Sequence, residues 1–235
     1  MFQNITPITK NIIILNVIVF ILAMLIPQSY QYLAAFFPTS PYFKSWQIIT
    51  HMFMHGGFMH IAFNMLTFAS FGPVLERFLG EKKFVILYFL SGLGAFALFN
   101  LWEYYQLYQD AQPLIVEGLQ FSDILKGDFE KFPVRLEGNA QNIVNILSTP
   151  MVGASGAIFG VIAAFSLLYP NAEMIIMFIP VPIKAKVLFP ISIIVSLYLG
   201  FSGSGGNIAH FAHIGGALVG YILIKIWGRN RYRIN

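Results

Sequence analysis

The sequence predicts an all-α polytopic membrane protein built as a six-transmembrane-helix bundle, and three observations lead to this fold class. Hydrophobic residues make up 57% of the 235 residues and charged residues only 10%, whereas soluble domains carry about 25% charged residues. The chain therefore has too little polar surface to coat a globule of its size. Six long apolar stretches are separated by charges, prolines or glycine and serine clusters, and none alternates as a barrel strand does.

The six apolar stretches define the predicted spans, because a helix needs about 20 apolar residues to cross a bilayer. They cover residues 11–26, 57–75, 83–102, 150–169, 185–201 and 207–227. The first resembles a signal-peptide core, but no small-residue cleavage site follows it, so we interpret it as a retained span. We predict a single membrane domain over 1–235, with a core at about 46–220 and an extracytoplasmic insert at 103–147.

The distribution of charge predicts the orientation of the spans. Ten of the 14 Lys and Arg residues fall in the N-terminal segment, the 76–83 and 170–186 loops and the C-terminal tail. Basic residues favour the cytoplasmic side, so both termini are predicted to be cytoplasmic. The net charge of +4 then reflects topology, and no nucleic-acid partner is expected. Seven of the ten acidic residues lie in the 103–147 insert on the opposite side.

Composition also excludes several kinds of chemistry. The absence of cysteine excludes disulfides, thiolate metal sites and a cysteine nucleophile. No predicted apolar core contains Asp or Glu, although proton-coupled carriers usually hold an intramembrane carboxylate and a carboxylate-dependent zinc protease needs one. The polar groups expected at membrane depth are Ser, Asn, Thr and His, and we expect no metal and no cofactor.

Ser155 is the candidate nucleophile, near the start of the fourth span. The Ser-Thr-Pro sequence at 148–150 predicts a helix N-terminus there, which places Ser155 roughly 8 Å further along the helix axis. Small neighbours leave its hydroxyl open to an approaching peptide. Gly156 and Gly160 form a G-x-x-x-G step, which taken alone favours simple helix packing.

His213 is the candidate base, on the sixth span. It precedes a second small-residue step, Gly216 to Gly220, so close approach of the fourth and sixth spans would bring Ser155 and His213 within hydrogen-bonding distance. Histidine is the usual base that activates a hydroxyl nucleophile. Taken alone, His213 is equally consistent with a buried structural imidazole.

Further histidines lie around the start of the second span. His60 and Asn64 are spaced i, i+4 and therefore share one helix face, where two donors aimed at one point would suit an oxyanion. His51 and His55 form an earlier pair of the same spacing. We predict that these two form hydrogen bonds that pin a re-entrant outer loop at 27–56.

Three sequence blocks in this order resemble the rhomboid family of intramembrane serine proteases. They are H-x-x-x-x-H-x-x-x-N at 55–64, G-A-S-G at 153–156 and A-H-I-G-G at 212–216. The Glu-Arg and Leu-Gly pairs within 76–80 match the family as well. Each block alone is weak, but three in order on the second, fourth and sixth spans are specific. The resemblance extends over about 46–220 without the insert.

The resemblance implies a fold and a set of roles. Ser155 would be the nucleophile and His213 its base, in a dyad that needs no aspartate and no cofactor. The side chains of His60 and Asn64 and the backbone N–H of Ser155 would hold the oxyanion. The substrates would be single-span membrane proteins, cut within or near their transmembrane segment. We expect an enzyme in a bacterial plasma membrane, with an active site that opens to the extracytoplasmic side.

Two other functions and two loop roles are also compatible with the sequence. One function is a catalytically inactive rhomboid-like protein that binds membrane clients, although such proteins typically lack the serine or the histidine. The other is a metal site or transporter that uses the histidines, which are His51, His55, His60, His210 and His213. The Gly/Ser stretch 202–206 is either a mobile cap or a plain turn. The insert is predicted to form an amphipathic surface helix that gates or selects substrates.

Overall fold

The computed structural model describes residues 5–132, 138–176, 179–202 and 209–229. Its secondary structure consists of helices joined by short loops, two 3₁₀ turns and one β-hairpin. The elements in chain order are α1 (Pro7–Leu25), α2 (Ser29–Leu33), α3 (Gln47–Thr50), α4 (Phe58–Leu79), α5 (Glu81–Val116), α6 (Phe121–Lys126), α7 (Asn139–Ser148), α8 (Ser155–Leu168), β1 (Glu173–Ile176), β2 (Ile179–Lys184), α9 (Ala185–Ser202) and α10 (His210–Arg229).

Five of these helices are long and apolar enough to cross a membrane: α1, α4, α5, α9 and α10. The chain is therefore an integral membrane protein with a helical bundle. The fourth predicted span forms α8, which is apolar but has only 14 residues, fewer than the roughly 20 that a full span needs. The number of spans and the cytoplasmic position of both termini remain predictions.

The predicted start of the fourth helix is wrong. The helix begins at Ser155 and not at 148–150, because the chain before it is extended. Met151 and Ala35 form an antiparallel β-bridge with N–O distances of 2.8 and 3.0 Å, and Gly153 has a φ of +126°, outside the helical region. Ser155 is thus the first helical residue and does not lie a turn and a half into the helix.

The centre of the bundle is α8, which packs between α5 and α10. The close approach of α8 and α10 that the glycine steps predicted is confirmed. A methyl group added at Gly216 would collide with the carbonyl oxygen of Gly156, and one added at Gly220 would collide with that of Gly160. The absence of side chains at these positions lets the two backbones touch. This contact fixes the register between Ser155 on α8 and the first turns of α10.

The N-terminus of α1 is capped by a carboxylate from another helix. Glu76 is 3% exposed, lies near the end of α4 and accepts hydrogen bonds from the backbone N–H of Ile8 at 2.9 Å and of Thr9 at 2.8 Å. It also accepts from the hydroxyls of Thr6 and Thr9. Thr6 makes no side-chain cap of its own, so Glu76 satisfies the donors that a helix start leaves free.

The 103–147 insert does not form the single amphipathic surface helix that the sequence predicted. Helix α5 continues to Val116, and α6 and α7 fold back against this extension. Together they enclose an apolar cluster, whose fully buried members include Leu107, Ala111, Ile124, Ile143 and Leu147. The Ser40 hydroxyl donates a 2.6 Å hydrogen bond to the carbonyl of Leu147, which ties the insert to the loop before α4.

One segment departs from the all-α prediction. The loop between α8 and α9 contains an antiparallel two-stranded sheet, in which Glu173 pairs with Lys184 and Met174 with Ile183. The sequence analysis missed it because a continuous apolar run gives no alternating pattern, and this run lies between two longer ones.

Candidate active site

Ser155 and His213 lie next to each other. The Nε2 atom of His213 is 3.0 Å from the Oγ atom of Ser155, a normal hydrogen-bonding distance. Ser155 opens α8 and His213 lies in the first turn of α10, so the α8–α10 contact brings them together. As the first residue of a helix, Ser155 also has a backbone N–H with no partner inside that helix.

The ring of His213 is held by an aromatic residue that the sequence analysis missed. Phe159 stacks flat on it, with ring centroids 4.2 Å apart and an interplanar angle of 2°. Phe159 follows Ser155 by one helical turn, so its i+4 spacing on the same helix face was the available signal. The stack restrains rotation of the imidazole, and an aromatic face also stabilises a cationic ring placed over it.

The side chains of His60 and Ser155 border the same small space beside Gly153. A Cβ atom at Gly153 would lie 2.9 Å from Nε2 of His60 and 3.5 Å from Oγ of Ser155. The missing side chain therefore leaves a small space that His60 and Ser155 both border. Asn64 lies one turn further along α4 and is 6% exposed.

The other two histidines before α4 differ in what they do. The Nδ1 atom of His51 lies 2.8 Å from the carbonyl of Gln47, and its own carbonyl accepts a 3.0 Å hydrogen bond from Gly153 N–H. The ring of His51 thus makes a hydrogen bond within the loop, and the pinning role of His51 and His55 stays a prediction. The ring of His55 lies edge-on to that of His60, with centroids 5.0 Å apart.

The histidines do not assemble into a metal centre within the described residues. No three His, Asp or Glu side chains there are grouped so that they could hold an ion. His210 is 7% exposed, and its ring lies 6.2 Å from that of His213. Residues 203–206 of the Gly/Ser stretch, for which a cap or a plain turn was predicted, lie outside the described residues.

Together, the fold and this site define a class of protein: a helical membrane protein in which a serine and a histidine from two tightly packed helices form a hydrogen-bonded pair. The comparisons with known proteins agree with this class. The Rhomboid domain family matches residues 42–119 and 129–230, which includes both of these helices. The chain belongs to the rhomboid family. The match also takes in most of the insert, which the motif resemblance had left out.

Named relatives are similar over about three quarters of the chain. Rhomboid protein 1, mitochondrial, from Saccharomyces cerevisiae is 31% identical over 175 residues, which are 74% of this chain and 40% of the relative. Rhomboid protease AarA from Providencia stuartii is 28% identical over 182 residues, which are 76% of this chain and 54% of the relative. Rhomboid protease GluP from Bacillus subtilis is 27% identical over 184 residues, 78% of this chain and 26% of the relative. The chain thus spans about half or less of these relatives.

Proposed function

We propose that this protein is an intramembrane serine endopeptidase that cleaves single-span membrane proteins within or near their transmembrane segment. The observation that carries the proposal is the 3.0 Å contact between Nε2 of His213 and Oγ of Ser155. Two of the relatives are named as proteases, which supports the same activity for this chain.

In the proposed reaction, Ser155 and His213 act as a dyad. As Oγ of Ser155 attacks the scissile carbonyl carbon, its proton passes to Nε2 of His213. The C–N bond then breaks and His213 returns the proton to the leaving amine, which leaves an acyl-enzyme on Ser155. Water, deprotonated by His213, hydrolyses this ester and restores the serine. The stack with Phe159 suits this cycle because His213 becomes cationic after each proton transfer.

The proposed oxyanion site faces the space beside Gly153. The backbone N–H of Ser155 points from the start of α8, where the helix dipole also favours negative charge. The side chains of His60 and Asn64 would supply two more donors. No cofactor takes part. Loss of one donor is expected to lower the cleavage rate by roughly 10²- to 10³-fold, so His60→Ala and Asn64→Ala each test this assignment.

The proposed location is a bacterial plasma membrane, with both termini cytoplasmic and the site open to the extracytoplasmic side. Bacterial proteins and one with a mitochondrial name are among the relatives, so the membrane itself has to be tested. A glycosylation or cysteine-accessibility map of the loops before α4 and after α5 would report their side of the membrane. Labelling of both loops only from the cytoplasmic side would overturn this topology.

The direct test is cleavage of a labelled single-span substrate by purified protein in vesicles. Ser155→Ala and His213→Asn are each expected to lower the rate by about 10⁴-fold or more. Ser166→Ala is the matched control, because Ser166 lies on the same helix at its other end and bonds to the Ala185 carbonyl at 3.3 Å. Full activity of Ser155→Ala would overturn the serine mechanism.

The same assay separates the two alternatives. A catalytically inactive client-binding protein would retain the substrate without cutting it, and Ser155→Ala would then leave no measurable difference. Cleavage or transport that a chelator abolishes would point to the histidines as metal ligands. We expect cleavage by the unmodified chain that is unaffected by chelator.

A further inference from the structure

The β-hairpin between α8 and α9 is the feature that the proposed catalytic site does not use. Its strands are β1 and β2, and hydrogen bonds between the chain before β1 and the start of α9 close its base. The N–H of Ala185 donates to the carbonyl of Ala172 at 2.9 Å, and the N–H of Lys186 donates to that of Pro170 at 3.0 Å. The hairpin therefore projects from a fixed point beside α9, with which both strands are in contact.

The composition of the hairpin does not fit a loop in water. The sequence from Met174 to Ile183 contains no polar residue. A hairpin with one face in water alternates apolar and polar residues. A lone two-stranded hairpin is also only marginally stable in water. The composition of the hairpin therefore fits an apolar medium and not water.

Two prolines change the outer edge of the hairpin in the way that an apolar medium requires. Pro180 and Pro182 lie two residues apart in β2, so their backbone nitrogens face the same edge of the strand. Proline cannot donate to a strand ladder, which places that edge away from β1. An unpaired N–H is strongly unfavourable in hydrocarbon, and the prolines remove two such donors.

The position and charge of the hairpin base indicate which medium this is. Helix α9, a candidate membrane span, begins at the residue that follows β2. Lys184 and Lys186 lie at this junction and are exposed. Lysines at a membrane boundary extend their charge to the level of the lipid phosphates. We infer that strands β1 and β2 of the hairpin lie in the lipid bilayer, with Lys184 and Lys186 at the level of the headgroups.

This inference depends on α9 spanning the membrane and not on the catalytic pair, so it can be tested without any substrate. The chain has no cysteine, and single cysteines can therefore carry a nitroxide label. Met174→Cys and Ile183→Cys place labels on both strands. Ile194→Cys, where the native side chain is 64% exposed on α9, serves as the bilayer reference. Glu81→Cys, at the exposed first residue of α5, serves as the aqueous reference.

The measurement is the collision rate of each label with oxygen and with a water-soluble nickel chelate, in vesicles that contain anionic lipid. Labels at 174 and 183 are expected to have higher oxygen and lower nickel accessibility than the label at 81, with values between those at 81 and 194, because both positions neighbour the headgroup level. Nickel accessibility equal to that at 81 at both hairpin positions would overturn the inference. Circular dichroism and thermal unfolding show that each variant is folded, and two hairpin positions guard against the failure of one.

A second variant tests the role of the prolines. Pro182→Ala restores an N–H at the outer edge of β2. Because this unpaired donor is more stable when hydrated, the variant is expected to raise the nickel accessibility of the label at 183. Prolines at a strand edge can also prevent pairing with another chain. Unchanged accessibility with new cross-linked dimers in Pro182→Ala would assign the prolines to that role and remove their support for insertion.

Discussion

Replacement of Glu76 by glutamine should loosen the attachment of α1 to the rest of the bundle. The carboxylate accepts four hydrogen bonds, two from backbone N–H groups at the start of α1 and two from hydroxyls. Glutamine keeps one oxygen and turns an amide group, itself a donor, toward the remaining donors. At least one buried donor is then left without an acceptor.

The magnitude follows from these contacts. One unsatisfied buried donor costs about 1–3 kcal/mol, and loss of the negative charge at a partly buried helix N-terminus costs about 0.3–2 kcal/mol more. We therefore expect Glu76→Gln to lower the free energy of unfolding by about 1–5 kcal/mol. Glu76→Ala removes every acceptor and should exceed this value.

The assay is reversible unfolding of the purified protein in mixed micelles with increasing denaturing detergent, followed by circular dichroism. Glu81→Gln is the matched control, because Glu81 is an exposed carboxylate in the first turn of α5 and should change stability by less than about 0.5 kcal/mol. Thr9→Val combined with Glu76→Gln should be less destabilising than the sum of the two single changes, since they remove the same hydrogen bond. If Glu76→Gln matched Glu81→Gln, the capping role would be refuted.

Three further predictions concern the glycines and the insert. Gly153→Ala should lower the cleavage rate by about 10²-fold or more, because its φ of +126° is strained for alanine and the methyl group would contact His60. Gly216→Ala should destabilise the bundle by about 1–3 kcal/mol, because the methyl group meets the Gly156 backbone. Ile124→Ala, at a site with 0% exposure, should cost about 2–5 kcal/mol and speed hydrogen exchange in α6 and α7.

Each of these changes has a control or a contradicting outcome. Gly57→Ala should be silent, since Gly57 has extended backbone with open space around it; a rate loss equal to that of Gly153→Ala would remove the special role of the latter. Gly228→Ala, on the same helix as Gly216 but without neighbours, should leave stability unchanged. For Ile124→Ala, faster exchange throughout the bundle and not only in the insert would contradict a separate cluster.

Sequence reasoning succeeded where the physical signal is local. Glycines spaced four apart predicted the contact of α8 with α10, because the spacing itself places them on one face. The same contact explains why Ser155 and His213 meet, although their 58-residue separation in the chain gives no such information. Their catalytic role remains a prediction.

The failures involve contacts between distant segments. The cue at 148–150 pointed to a helix start, but the β-bridge of Met151 with Ala35 holds this stretch extended, and no local pattern could show that. The capping of α1 by Glu76 links residues 67 or more apart. The prediction of a single surface helix for the insert failed because its apolar residues pack into one cluster formed by three helices. In the sequence, such residues have an irregular spacing.

The short length of α8 allows an estimate of the depth at which the proposed cleavage occurs. A 14-residue helix is about 21 Å long, roughly 9 Å less than the hydrocarbon thickness of about 30 Å. If its inner end lies at the membrane boundary, Ser155 lies about that far below the opposite boundary. A substrate strand rises about 3.3 Å per residue, so the cut bond would lie about three residues inside the membrane on an extended segment. On a helical segment, at about 1.5 Å per residue, the same depth corresponds to about six.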